Sequence, residues 1–346
     1  MLRKLMQMLV SIPGPETGAE VAPEALGARR TISLSVVKLC KFVPHQLLSI
    51  LPELRTGIMQ LVETNRLFQF EKAYLFEAMV HISNSYKNFQ KQEEVIRVLV
   101  GGLVAQIASP ELHQITQSPE NLATFLGLGA DITTQAEIRG QVYDMFSLFT
   151  NVVSNSRVPR KQDLRKGGFY SKDGLCHPTG PYLLQCLPVS LALATAIHSL
   201  WLPQVRCAVP ERYRAVLEHD PSDIRNLLSC VKVSDADAQR EEEEKKQAMG
   251  AEASQAMAEV RRVQLWLTSM RSFAYRIFAN SCGRVQGFYS QVTPDVLFQA
   301  FFRFLDTLDD IHLRTFFRAC SLQLIVLTFS LLTDTLLLQA TSSYPS

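Results

Sequence analysis

The chain has 346 residues, 47% of them hydrophobic, enough to bury the core of one extended α-solenoid or of two compact domains. Its 35 basic and 33 acidic side chains leave a formal charge of +2, which excludes the strong basic excess of a dedicated nucleic-acid domain and confines any RNA contact to local patches or to a distant part of a longer molecule. Seven scattered cysteines, with no C-x-x-C pair among them, argue against both a disulfide framework and a zinc module.

The first ten residues carry Arg3 and Lys4 ahead of Leu5, Met6, Met8, Leu9 and Val10. That apolar run is too short for a secretory signal and reads as a helix fragment. From Ser11 to Arg30, prolines 13, 15 and 23 sit among Gly, Ala and Glu with little apolar periodicity, which predicts a mobile linker. Residues 1–29 are therefore expected to be disordered or partly helical, with ordered structure beginning near Thr31.

Helix then follows helix. Ala73, Phe76, Met79, Val80 and Ile82 recur at helical spacing, with Glu71, Lys72 and Glu77 at polar positions. Further stripes run through Val95, Val98, Leu99, Leu103 and Ile107, and through Val142, Met145, Phe146, Phe149, Val152 and Val153. Ser109-Pro110-Glu111, Ser118-Pro119-Glu120, Asp220-Pro221-Ser222-Asp223 and Thr293-Pro294-Asp295 share one grammar. A side-chain oxygen caps the free amides, proline takes the first turn, and an acid follows near the positive helix end. Short helices restarting every few tens of residues predict an all-α, HEAT-repeat-like solenoid, although no motif recurs at a fixed period.

Two interruptions break this rhythm. Residues 157–181 hold four glycines and three prolines and read as a long loop; residues 235–259 form a charged insert, with Glu241–Lys245 and Glu242–Lys246 spaced for i,i+4 pairing on a solvated face. Beyond it, Trp266, Phe273, Tyr275, Phe278, Phe288, Tyr289, Phe298, Phe301, Phe302 and Phe304 are spaced as a helix–helix core rather than a base-stacking platform. The apolar run Cys320–Leu338 is long enough to span a bilayer, but Asp334, Gln323 and several Ser and Thr dilute it. A buried helix or an aberrant end suits it at least as well as a tail anchor.

No catalytic set emerges. The chain lacks a phosphate-cradling G-x-x-x-x-G-K-[ST] or G-x-G-x-x-G loop, an H-E-x-x-H zinc pair and a G-x-S-x-G nucleophile turn. Cys176-His177 has no other His in its loop, where a metal site needs three or four converging ligands, and neighbouring Glu93-Glu94 do not face one another. No enzyme activity, cofactor or metal is expected. The candidate for a polyanion contact is the set Arg157, Arg160, Lys161, Arg165 and Lys166 beside Gly167-Gly168. Five cations on a flexible loop can follow an RNA backbone, because neutralising phosphates releases counterions whatever the sequence.

A family resemblance rests on specific blocks. The stretch from Glu71 through His81 to Phe89 resembles a helix and turn of the exportin-5 family of karyopherins, in the importin-β superfamily. Arg29-Arg30 with Val36–Cys40 resembles the element before it, Lys166-Gly167-Gly168-Phe169 a Gly-Gly-Phe loop, and Val263–Cys282 with Gln286-Gly287-Phe288-Tyr289 a later helix and its exit. The resemblance runs in order from about Arg29 to about Arg318, making 30–318 the exportin-like helical-repeat region. The charged insert and the 319–346 tail depart from the pattern, and the five-cation loop is not one of its hallmarks. The resemblance implies a receptor shuttling between nucleus and cytoplasm, carrying hairpin RNA of the precursor-microRNA type with Ran-GTP and meeting nuclear pore proteins on the way. It also implies that the main Ran contacts lie in a region not matched here; separately, the polar residues within Cys320–Leu338 make a membrane partner unexpected. The rival reading is a tail-anchored helical scaffold.

Overall fold

The computed structural model of the protein describes residues 1–17, 21–159, 164–171, 174–218, 251–304, 306–308 and 310–320. The fold is all-α and solenoid-like in class. Among the described residues the only strands are the two-residue pair Tyr170–Ser171 (β1) and Gly174–Leu175 (β2), an antiparallel hairpin inside the 157–181 loop. The helices are α1 (Leu2–Ser11), α2 (Pro23–Phe42), α3 (Pro44–Leu47), α4 (Leu51–Glu63), α5 (Gln69–Ser83), α6 (Phe89–Ile107), α7 (Pro110–Thr116), α8 (Pro119–Leu126) and α9 (Ala136–Asn155). After the hairpin come α10 (Gly180–Ser199), α11 (Pro203–Ala208), α12 (Ala251–Arg284), α13 (Phe288–Gln291) and α14 (Pro294–Leu297), and residues 310–320 are also helical.

The chain forms two compact units. The first comprises Met1–Ser109, Gln141–Pro188 and Gly283–Gln291. Its widest contact is between α2 and α5, with α1 on α2 and with α4 and α6 beside α5. The reason is in the side chains. Helix α2 buries Arg29, Ile32, Ser33, Val36, Val37 and Cys40, a single three-four stripe, whereas α5 buries residues on nearly all sides, including Leu75, Phe76, Met79, Val80 and Ile82. A helix that is apolar all round belongs at the centre of a layer. Burial also pushes the Cys40 thiol up to about 12, so it is an inert core group.

The structure departs from the expectation that order begins near Thr31. Helix α2 starts at Pro23, with Glu24 in its first turn, and the proline and acid that look like linker chemistry are an N-terminal helix signal. Nor is Glu71 a solvated polar position. Its side chain is 0% exposed and Arg29 is 1% exposed, and the two form a two-pronged pair: Nε to Oε1 at 2.7 Å and Nη2 to Oε2 at 2.9 Å. The remaining guanidinium protons go to the carbonyls of Leu9 (3.1 Å), Ile12 (2.6 Å) and Arg66 (2.9 Å), and Glu71 Oε2 accepts the Phe68 N–H at 2.8 Å. One buried cation thus joins the end of α1, helix α2, the α4–α5 turn and the start of α5. A Cβ on Gly14 would meet the flexible end of Glu16 and lie 3.0 Å from Arg29 Nη1 and 3.1 Å from the Arg66 carbonyl oxygen, so the junction leaves little room for a larger residue there.

The second unit comprises Pro110–Gly140, Val189–Cys282 and Val292–Ser346. Here most of the aromatic spacing forms a core: Tyr275, Phe278 and Phe301 are buried and joined by Phe316, with ring centroids 4.7–5.9 Å apart at tilted and edge-on angles, whereas Phe298, expected in the core, is exposed. His198 is fully buried, its Nε2 2.6 Å from Tyr275 Oη. Trp266 donates Nε1–H to the Arg139 carbonyl at 2.9 Å, and Arg139 in turn caps the Leu126 carbonyl at 3.0 Å. Helices do begin at Pro110, Pro119 and Pro294. Ser118 Oγ accepts the Asn121 N–H, whereas Thr293 makes no side-chain cap.

The Asp220-Pro221 start, the Glu241–Lys245 and Glu242–Lys246 pairs, and the apolar run beyond Cys320 lie outside the described residues. From Ala251 the end of the charged insert is already α12, and Glu259, expected on a solvated face, is buried beside Arg262. Helix α10 is long and apolar enough to cross a membrane by length and composition, and 67% of that stretch is buried within the protein.

The Arg29–Glu71 junction makes a sharp stability prediction. Glu71→Ala leaves a buried guanidinium without its counter-charge and should destabilise by about 3–5 kcal/mol. Glu53→Ala, at the exposed Arg3–Glu53 pair, should leave the urea midpoint unchanged. Equal midpoint shifts for the two variants would contradict the junction's role.

Candidate RNA-contact surface

The cation-rich loop belongs to the first unit and is built from the ends inward. At its entry Asn84, which closes α5, accepts the Arg157 N–H on Oδ1 at 2.9 Å and donates Nδ2–H to the Asn155 carbonyl at 2.8 Å. Gln92, buried on α6, donates to both the Arg157 carbonyl (2.7 Å) and Asn84 Oδ1 (3.1 Å). Two side chains of the α5–α6 region therefore hold the backbone where the loop leaves α9.

The far end returns to the same place. The Gly167 carbonyl accepts the Phe89 N–H at 2.8 Å, and a Cβ on Gly167 would sit 2.2 Å from the Lys87 carbonyl oxygen. The two backbones touch, which only glycine permits. Gly168 follows at φ +75°, a left-handed turn, and sends the buried Phe169 ring edge-on against Phe89, 5.8 Å between centroids. Asn88 supports the turn by accepting the Lys91 N–H as the N-cap of α6. Beyond Phe169 the β1–β2 hairpin is tied to Gln286, which donates to Ser171 Oγ at 2.6 Å.

Of the five predicted contact residues, Arg157, Arg165 and Lys166 are exposed, and Arg160 and Lys161 lie outside the described residues. The structure thus brings Arg157 and the Arg165–Lys166 pair to opposite ends of one loop, both anchored on the α5–α6 turn. That turn carries exposed Lys87 and Lys91, which the sequence reading did not group with the loop. The acids that follow face elsewhere: Glu93 accepts the Tyr182 hydroxyl and Glu94 pairs with Arg55 at 3.1 Å.

The segment leading from the hairpin into α10 is packed around a buried histidine. His177, 8% exposed, accepts the Thr179 N–H on Nδ1 at 3.2 Å, with the Thr179 hydroxyl 2.7 Å away. Burial first, and then the nearby Arg284 guanidinium, lower its pKa to about 3. Arg284 spans to the Val153 carbonyl at 2.5 Å, and burial brings it down to about 10, still a cation at neutral pH. Cys176 contacts Gln286 Oε1 rather than a metal partner. Among the described residues no three His, Cys, Asp or Glu side chains gather as a metal site would require.

A sequence profile described as the Exportin-5 family matches residues 1–330, past both ends of the 29–318 stretch that carries the resemblance. Exportin-5 of Dictyostelium discoideum is 21% identical over 230 residues, which is 64% of this chain and 20% of that protein. Exportin-5 of Homo sapiens is 22% identical over 204 residues, 55% of this chain and 17% of that protein, and the Mus musculus protein is 23% identical over 219 residues, 58% and 18%. The chain spans about a fifth of the length of the curated relatives it matches.

The buried His177 gives the segment entering α10 a pH signature. Its folded pKa lies below the ordinary 6.5, so the unfolded chain takes up the proton first as pH falls. Stability from this site is complete above pH 6.5 and declines down to about pH 3, by at most about 1.4 kcal/mol per pH unit. His177→Asn offers an acceptor with no titration. It should flatten the urea midpoint against pH across that window, and an unchanged slope would contradict the assignment.

Proposed function

This chain belongs to the Exportin-5 family, a family of transport receptors, and from that premise we propose that it acts as a helical module of a nuclear export receptor that grips structured RNA. The family match over residues 1–330 of an all-helical chain is the observation that carries this reading. The reaction is binding, not bond chemistry, and it uses no cofactor. The cargo is a hairpin RNA of the precursor-microRNA type, recognised by duplex shape and backbone. Ran-GTP is the co-ligand, engaged largely through regions outside the matched blocks. Nuclear pore proteins are transit partners, and the receptor shuttles between nucleus and cytoplasm.

The loop supports the RNA component by its chemistry. Arg157, Arg160, Lys161, Arg165 and Lys166 face one acid, Asp163, between the first and last of them. The local excess of positive charge is therefore marked in a chain whose overall charge is +2. Both loop ends rest on hydrogen bonds and close backbone contact, so Arg157, Arg165 and Lys166 are presented on a fixed base. That lowers the ordering entropy that binding must overcome.

The test is a salt titration with a labelled hairpin RNA. Replacing Arg157, Arg160, Lys161, Arg165 and Lys166 by Gln should weaken binding at least tenfold near 0.15 M salt and flatten the dependence of log K on log salt by about one unit per lost phosphate contact. An unchanged slope would contradict RNA contact by this loop.

A further inference from the structure

The loop does not present its cations alone. Gly167 and Lys87 meet backbone to backbone, and Phe89, two residues on, donates its N–H to Gly167. The exposed Arg165-Lys166 pair is therefore held beside the turn that bears exposed Lys87 and, one helical step later, Lys91. We infer that Arg165, Lys166, Lys87 and Lys91 form one phosphate-binding face for duplex RNA, with Gly167 as the positioning residue that joins its two halves. This rests on the RNA reading above and adds to it two contact residues and the device that aligns them.

Three observations favour a single face. The aromatic contact between Phe89 and Phe169 and the Phe89–Gly167 hydrogen bond fix the loop exit to the start of α6 at two points. The first turn of α6 holds no acid, and the next acids along it, Glu93 and Glu94, are engaged with Tyr182 and Arg55. Finally, the tight approach at Gly167 has a geometric consequence. Any side chain there drives the loop off the turn, because a Cβ 2.2 Å from a backbone oxygen cannot be accommodated by a rotamer change. Duplex RNA suits such a face because phosphates recur along its backbone whatever the sequence. Recognition then depends on how many cations reach phosphates together rather than on base edges.

The experiment compares four forms of the full 346-residue chain by anisotropy of a labelled hairpin RNA across a salt series, with thermal unfolding as the fold control. The double variant Lys87→Gln/Lys91→Gln should lose about two released counterions, as should Arg165→Gln/Lys166→Gln. Each would then weaken roughly tenfold less than the parent between 50 and 200 mM salt. Gly167→Ala keeps every charge, yet should lose part of the slope. If the Lys87/Lys91 variant keeps the parental slope while the Arg165/Lys166 variant flattens, the two-element face is wrong and the RNA reading of the loop stands. If neither double variant changes the slope, the RNA reading falls and the inference with it. A folded Gly167→Ala chain with the parental slope would overturn the positioning role.

Discussion

The first unit depends on a single buried guanidinium. Arg29 uses all five of its N–H groups, two on Glu71 and three on carbonyls at the end of α1 and in the α4–α5 turn. Desolvating a pair of opposite charges is expensive, and the pair's net contribution to stability is small. Its structural consequence is larger, because moving α2 away from α5 would leave the buried ion and its carbonyl partners unpaired. The pair specifies one register of α2 on α5. Helix α5 ends at Asn84, and Asn84 holds the root of the cationic loop. The buried ion pair and the exposed cations thus sit at opposite ends of one central helix.

The loop shows how a long Gly- and Pro-containing connection can be ordered where it matters. Its entry is held by amide side chains and its exit by a glycine in backbone contact and a buried phenylalanine. Cations mounted this way lose less freedom on binding than cations on a free chain. The two strands between Phe169 and Cys176 are too short to act as a sheet. Their role is to turn the chain back toward α10, a point reinforced by the Phe169 carbonyl accepting the Cys176 N–H at 2.8 Å.

Much of this was legible from residue order, for reasons that can be named. Helical periodicity marked α5, α9 and the aromatic core, because burial on one face or on all faces leaves a trace at three-four spacing. Along α6 the trace was read partly out of phase. Val95, Leu99 and Ile107 are buried as expected, but Ile96, Val100 and Val104 are buried in place of Val98 and Leu103. An apolar run that wide does not say which edge faces inward. At Glu71 charge alone signals water, and only the fold supplies the Arg29 partner that lets it be buried; Glu259 is buried beside Arg262, three residues on along its own helix. Pro23-Glu24 was a helix start hidden in linker-like composition. The association of Lys87 and Lys91 with the loop could not be read from sequence, since it depends on a contact between residues eighty apart made by a glycine. The Gly167-Gly168-Phe169 run was the one local sign that something approached closely there.

The account's central claim is that RNA is held where the loop and the α5–α6 turn meet. Ultraviolet cross-linking of a hairpin RNA to the intact chain, followed by mass spectrometry of the linked peptides, tests this most directly. Links concentrated in residues 85–91 and 157–169 are the predicted result. Links confined to other segments, with binding intact, would contradict it.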